Sequence, residues 1–174
     1  DPARPTTYYK MAHAYNRLAD EENSLKQYLA LQRYSPDYSE IHYNLGVIYY
    51  NMALDAREAL EKAEKAGNTE AASSARTRLI ENFDKSIAQF ERQSRLSNKV
   101  SVWYFWANVC GLKADALDPE SAEAKALYLK AAEIQLRTST LPISKVIQEV
   151  GQEEREQELR YRALRRAKDS FAKA

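Results

Sequence analysis

The chain has 174 residues, enough to bury a core of its own, and its 26 basic and 25 acidic side chains leave a net charge of +1, without the basic excess a nucleic-acid binder needs. Four glycines and five prolines are few, and the β-branched residues never alternate over a strand's length, so the expected class is all-α. A single cysteine excludes an internal disulfide, and no apolar run approaches the ~20 residues that cross a bilayer.

The first helix is announced by Pro5 with Thr6 or Thr7 as start signals, followed by Tyr8, Met11, Ala12 and Tyr15 at helical spacing. Ala19–Asn23 reads as a polar turn. A second helix then carries Leu25, Tyr28, Leu29 and Leu31 until Ser35-Pro36-Asp37 stops it. The third helix opens near Ser39, with Ile41, Leu45, Ile48 and Met52 on one face. No breaker follows, and Ala53, Ala56, Leu60 and Ala63 continue the stripe to Gly67-Asn68. That run is roughly 42 Å of helix at about 1.5 Å per residue. The return helix is expected from Thr69 as N-cap, with Ala72, Ala75, Leu79, Phe83, Ile87 and Phe90 inward, and ends near Leu96-Ser97-Asn98. Alanines at the outer end allow close approach but bury little apolar area, whereas Leu, Phe and Ile sit near the base. The long hairpin therefore reads as a coiled-coil-like arm whose base is in the core and whose tip projects or meets a partner.

An aromatic helix follows around Trp103, Tyr104, Phe105 and Trp106, of which Trp103 and Trp106 fit the inward pattern. Asp118-Pro119 breaks it, a return helix runs from there, and Ser139–Pro142 is the next break. The last segment starts with Ile143, Val146, Ile147 and Val150, expected as a docked closing helix. It then passes through QEEREQEL and a basic run to Tyr161, Leu164 and Phe171, expected to be partly solvated or held by a partner. The domain expected is 5–142, with hairpins 5–38, 39–98 and 99–142, and a capping helix over 143–174. The first residue is Asp1 rather than methionine, as processing or trimming would leave it, so targeting and compartment are not legible from this end.

Chemistry is sparse. His13 and His42 lack the spacing of a metal pair, and Cys110 occupies a packing position that suits an inert thiol. There is no Gly-rich phosphate loop, no G-x-S-x-G and no pair of carboxylates in a cleft-like segment. Glu58-Lys62 and Glu61-Lys65 are i,i+4 pairs of a solvated face. No catalysis, metal or cofactor is expected.

The helix pairs share a spacing. Tyr8, Met11-Ala12 and Tyr15 are followed by Ser24, Tyr28, Leu31 and Pro36. His42, Leu45-Gly46 and Tyr49 are followed by Ser86, Phe90 and Gln93. A third set is Trp103, Trp106-Ala107 and Cys110, then Ala124, Tyr128 and Ala131. This pattern, over roughly residues 5–136, resembles the tetratricopeptide repeat, a helical hairpin that stacks into a superhelix. His42 to Ser86 exceeds Tyr8 to Ser24 by 28 residues. That is four heptads, a length that extends both helices with their facing stripes in register.

The resemblance implies a scaffold that holds a peptide or partner helix on the concave face of the first helices of each pair. By motif position that face comprises Tyr9, Lys10, His13, Asn16 and Arg17, then Tyr43, Asn44, Val47, Tyr50 and Asn51, and in the third copy Ser101, Tyr104, Phe105 and Asn108. One subfamily grips a C-terminal carboxylate with lysine, asparagine and arginine at set concave positions. Only Asn44 fits it, because Tyr9, His13, Ser101 and Phe105 stand at its other positions, so that mode is not expected. A Tyr- and amide-lined groove suits an extended peptide or another helix. The expected function is thus a non-catalytic adaptor for a protein partner. The alternatives are a solute-binding or transporter-associated protein enclosing a small ligand near Tyr43, Tyr50, Tyr104 and Phe105, and self-assembly into a homo-oligomer through the arm or the charge-split C-terminal helix.

Overall fold

A computed structural model describes residues 4–38, 40–142 and 151–174, and all regular structure among them is helical, in agreement with the expected class. The helices are α1 (Pro5–Arg17), α2 (Glu21–Tyr34), α3 (Ile41–Lys65), α4 (Thr69–Leu96), α5 (Val100–Asp115), α6 (Ala122–Thr140) and α7 (Gln152–Lys173). They form two compact units, one of α1–α4 ending at Leu96 and one of α5–α7 beginning at Ser97.

In the first unit, α1 and α3 end in the same way. The Asp20 amide donates to Tyr15 O (3.0 Å) and that of Ala19 to Asn16 O (3.1 Å); likewise the Asn68 amide donates to Ala63 O (2.9 Å) and that of Gly67 to Glu64 O (3.1 Å). Both ends are Schellman motifs, which need a left-handed residue just past the helix. Gly67 fills that place at φ 67° in α3, and Ala19 fills it at φ 57° in α1. The return helices start differently from the expectation. Asp20 Oδ1 accepts from the Asn23 amide (3.1 Å), so α2 starts at Glu21 and the polar turn is shorter than Ala19–Asn23. Asn68 Oδ1, not Thr69, accepts from the Ala71 amide (3.0 Å) to open α4.

The core of this unit gathers Ala12, Tyr28, Leu31, Ile41, Leu45 and Ile48, with Tyr8, Tyr9, Tyr38 and Tyr49 packed around it. His42 is fully buried beside it. Its Nε2 donates to Pro36 O (2.6 Å), and its Nδ1 lies against the side-chain amides of Gln32 and Gln89. These contacts join α2, α3 and α4.

The 25 residues of α3 and 28 of α4 make helices of roughly 37 and 42 Å, whereas α1 and α2 reach only about 20 Å. The excess length pairs with itself. Ala53, Ala56, Leu60 and Ala63 of α3 and Ala75 and Leu79 of α4 are buried, while Met52, Ala72 and Ile87 of the expected stripes are half-buried. Residues 64–71 at the tip are exposed, and Arg76 pairs with Glu64 at 2.9 Å across the hairpin.

One local arrangement recurs at corresponding positions. Ser24 Oγ donates to Ala12 O (3.0 Å), and Ser86 Oγ donates to Gly46 O (2.7 Å). Tyr28 and Phe90, four residues beyond each serine, are fully buried. Ala107, Ala124 and Tyr128 occupy the corresponding buried positions of the α5–α6 pair. At Gly46 the packing is tight enough that a Cβ would meet three atoms of the Phe90 ring at 3.0 Å.

In the second unit, α5 and α6 run antiparallel, joined by Lys113 to Glu123 (2.7 Å) and by Tyr128 Oη donating to Asp115 Oδ1 (2.7 Å). Ser121 caps α6 by accepting from the Ala124 amide. Helix α7 lies antiparallel to α6 and alongside α5. Arg160 Nε donates to Ser139 O, Ser170 Oγ donates to Gln135 Oε1, and Lys173 pairs with Asp115 (2.9 Å). Partial burial pushes the Asp115 carboxyl up, but the hydrogen bonds from Lys173 and Tyr128 outweigh it and hold the group below the usual carboxylate range. The face of α7 that docks carries Glu156, Ala163, Ala167 and Ser170. Tyr161, Leu164 and Phe171 are exposed. Ile143, Val146, Ile147 and Val150 lie outside the described residues.

Candidate partner-binding surfaces

The candidate residues of α1 fall into two groups. Lys10, His13, Asn16 and Arg17 are exposed, and the side chains of Lys10, Asn16 and Arg17 make no hydrogen bond or ion pair among the described residues. Tyr9 is half-buried and spends its ring internally, edge-on to Tyr28 (6.0 Å), beside Tyr38 (5.4 Å) and near His13 (6.3 Å).

On α3, all five candidates are partly exposed. Tyr43 packs edge-on against Phe90 (5.9 Å), and burial, with a smaller contribution from Glu40, pushes its hydroxyl above the ordinary tyrosine range. Its backbone amide donates to Gln93 Oε1. Asn51 Nδ2 donates to Glu21 Oε1 of α2 (3.1 Å). Asn44 Nδ2 is shielded from solvent and has no acceptor among the described residues. A buried donor without an acceptor is costly, about 1–3 kcal/mol, so this amide is a candidate whose unspent hydrogen-bonding capacity is shielded from water. Val47 and Tyr50 remain half-exposed on the same helix.

The α5 candidates belong to the second unit. Tyr104 is buried with Arg166 of α7 over its ring, and Arg166 also donates to Asn108 Oδ1. Phe105 stands edge-on to Tyr104 (6.1 Å), and Ser101 is half-exposed. Trp103 and Trp106 are buried, with Arg137 and Lys130 of α6 over their faces. Cys110 is fully buried. No group of three or more His, Cys, Asp or Glu side chains converges as metal ligands would among the described residues. No helix there is long and apolar enough to cross a membrane.

A feature outside the candidate set is an open cavity of about 520 Å³ between α6 and α7, lined by Leu136, Ser139, Thr140, Gln157, Arg160, Tyr161 and Leu164. Its sequence signal is the exposed apolar stripe of Tyr161, Leu164 and Phe171 on α7, with Leu129 and Leu136 one heptad apart on α6. No protein-family model matches the chain, and a search of curated proteins finds no similar sequence.

Proposed function

We propose that the protein is a non-catalytic scaffold of the tetratricopeptide-repeat type, which holds a peptide or helix of a protein partner against α1 and α3. The observation that carries this reading is the recurrence, in α1–α2 and α3–α4, of a buried serine bonded to the facing helix backbone above a buried aromatic ring. Such a unit needs its neighbour to bury a continuous face and leaves the outer positions of the first helix for recognition.

Those outer positions are Lys10, His13, Asn16 and Arg17 on α1, with Asn44, Val47 and Tyr50 on α3. Tyr9 and Tyr43 hold the surface in shape through their internal contacts. The lengthened α3–α4 hairpin serves as a spacer or second contact. Exposed groups can be removed without loss of packing, so the test uses His13→Ala with Arg17→Ala rather than either packed tyrosine. In crosslinking capture from native extract, the reading expects a specific protein retained by the wild type and lost by the double variant, with helical content unchanged. Retention of the same proteins by the variant would overturn it.

A further inference from the structure

We propose that the exposed α6–α7 face is a self-association surface, covered by a second copy of this chain whose α7 runs antiparallel to the first. This goes beyond the α1/α3 reading and does not depend on it. The face holds an apolar stripe that the fold leaves unpaired: Tyr161 is 58% exposed, Leu164 51%, Phe171 46%, and Leu136 of α6 47%. Among the described residues of its unit it docks nothing, because α7 turns its small residues Ala163, Ala167 and Ser170 inward.

The pattern along α7 identifies the occupant. Glu154, Gln157, Tyr161, Leu164, Lys168 and Phe171 follow one another at intervals of 3, 4, 3, 4 and 3 residues, a heptad seam that reads the same in both directions. An antiparallel copy centred between Arg162 and Ala163 therefore sets Tyr161 against the second copy's Leu164 at the middle of the seam, Gln157 against its Lys168, and Glu154 against its Phe171 at the ends. Charge favours the same arrangement. The first turns of α7 carry Glu153, Glu154 and Glu158, whereas the later turns carry Arg165, Arg166 and Lys168. Antiparallel pairing brings acidic half to basic half twice over, and places Glu158 alongside the second copy's Arg165. Within one copy, Glu158 holds Arg162 through a single carboxylate oxygen, and Arg165 lies over the Tyr161 ring at the edge of the stripe. A separate acidic helix would match only the basic half and would meet repulsion from Glu153, Glu154 and Glu158; a parallel copy would set like charges together.

The test is the mass of the full chain in solution, by light scattering and sedimentation over a wide concentration range. The wild type is expected to be a dimer that dissociates on dilution. Leu164→Glu is expected to weaken it about a hundredfold or more, because two charges enter the seam, with unchanged helical circular dichroism since the position is exposed. Glu158→Arg and Arg165→Glu should each weaken association about tenfold, and the two together in one chain should restore it, since the swapped charges again meet their opposites. A monomer at every concentration, a dimer that survives Leu164→Glu, or a double swap that fails to recover association would each overturn the proposal.

Discussion

Gly46 sits where α3 crosses α4, and its replacement by alanine measures how closely the long hairpin reproduces the packing of a short one. Two effects of opposite sign compete. In a helix interior, alanine is favoured over glycine by about 0.8–1 kcal/mol. Against that, the new Cβ would lie 3.0 Å from Cε1, Cε2 and Cζ of Phe90. Phe90 is fully buried, so its ring cannot swing into solvent, and overpacking of this kind costs about 1–3 kcal/mol. Gly46→Ala is therefore expected to range from neutral to about 2 kcal/mol destabilising. Gly111 in α5 is the control: a Cβ there meets nothing within 4 Å, so Gly111→Ala should stabilise by up to about 1 kcal/mol. Urea unfolding reads both, by far-UV circular dichroism for Gly46→Ala and by tryptophan fluorescence for Gly111→Ala, since Trp103 and Trp106 lie on α5. Adding Phe90→Leu to Gly46→Ala should recover part of the loss, giving a coupling above about 0.5 kcal/mol in a double-mutant cycle. If Gly46→Ala stabilises as much as Gly111→Ala, the close crossing at Phe90 is not there.

Ser86→Ala removes the buried bond to Gly46 O and should cost about 1 kcal/mol in the same urea assay. Ala19→Gly places the permissive residue at the left-handed position that Gly67 already occupies in α3, and should raise stability by about 0.5–1 kcal/mol in thermal unfolding. The Asp115 carboxyl, depressed by Lys173 and Tyr128, stabilises α7 docking above its unfolded pKa, near about 4, and loses that contribution as pH falls through the lower folded value. Both members of the pair are about half-exposed, so the effect is about 0.5 kcal/mol. Asp115→Asn should abolish this part of the acid dependence in a urea series over pH. Cys110 is fully buried, so its reaction with a thiol reagent should follow unfolding, accelerating in step with urea and not with reagent access in the native state.

The sequence carried most of the helical plan because its breakers are few and unambiguous. Gly67-Asn68 closes α3, Pro36 follows α2, and Asp118-Pro119 separates α5 from α6. The arm was legible from one glycine and two alanine stripes. Caps were less so: Asn68 takes that role in place of Thr69, and Asp20 takes it inside what read as a polar turn, because a cap depends on the backbone geometry of the turn before it. Periodicity says which face of a helix is apolar, not what covers it. Tyr9, Tyr43 and Tyr104 stand where the resemblance would place a concave face, yet their rings are spent on Tyr38, Phe90 and the Arg166 contact. On α7 the larger residues were the stronger hydrophobic signal, but close packing against α5 and α6 selected the small ones. That choice leaves Tyr161, Leu164 and Phe171 exposed.

Excision of the arm tests most directly whether α3–α4 is an ordinary repeat lengthened in register. Replacing residues 52–82 with the Leu18-Ala19-Asp20 turn of the first hairpin would restore the spacing that separates Tyr8 from Ser24, while keeping Gly46, Ser86 and Phe90. If the arm is such an insertion, the shortened chain still unfolds cooperatively in urea, with ellipticity reduced only by the helix removed. Loss of cooperative unfolding would contradict in-register lengthening and make the arm part of the core.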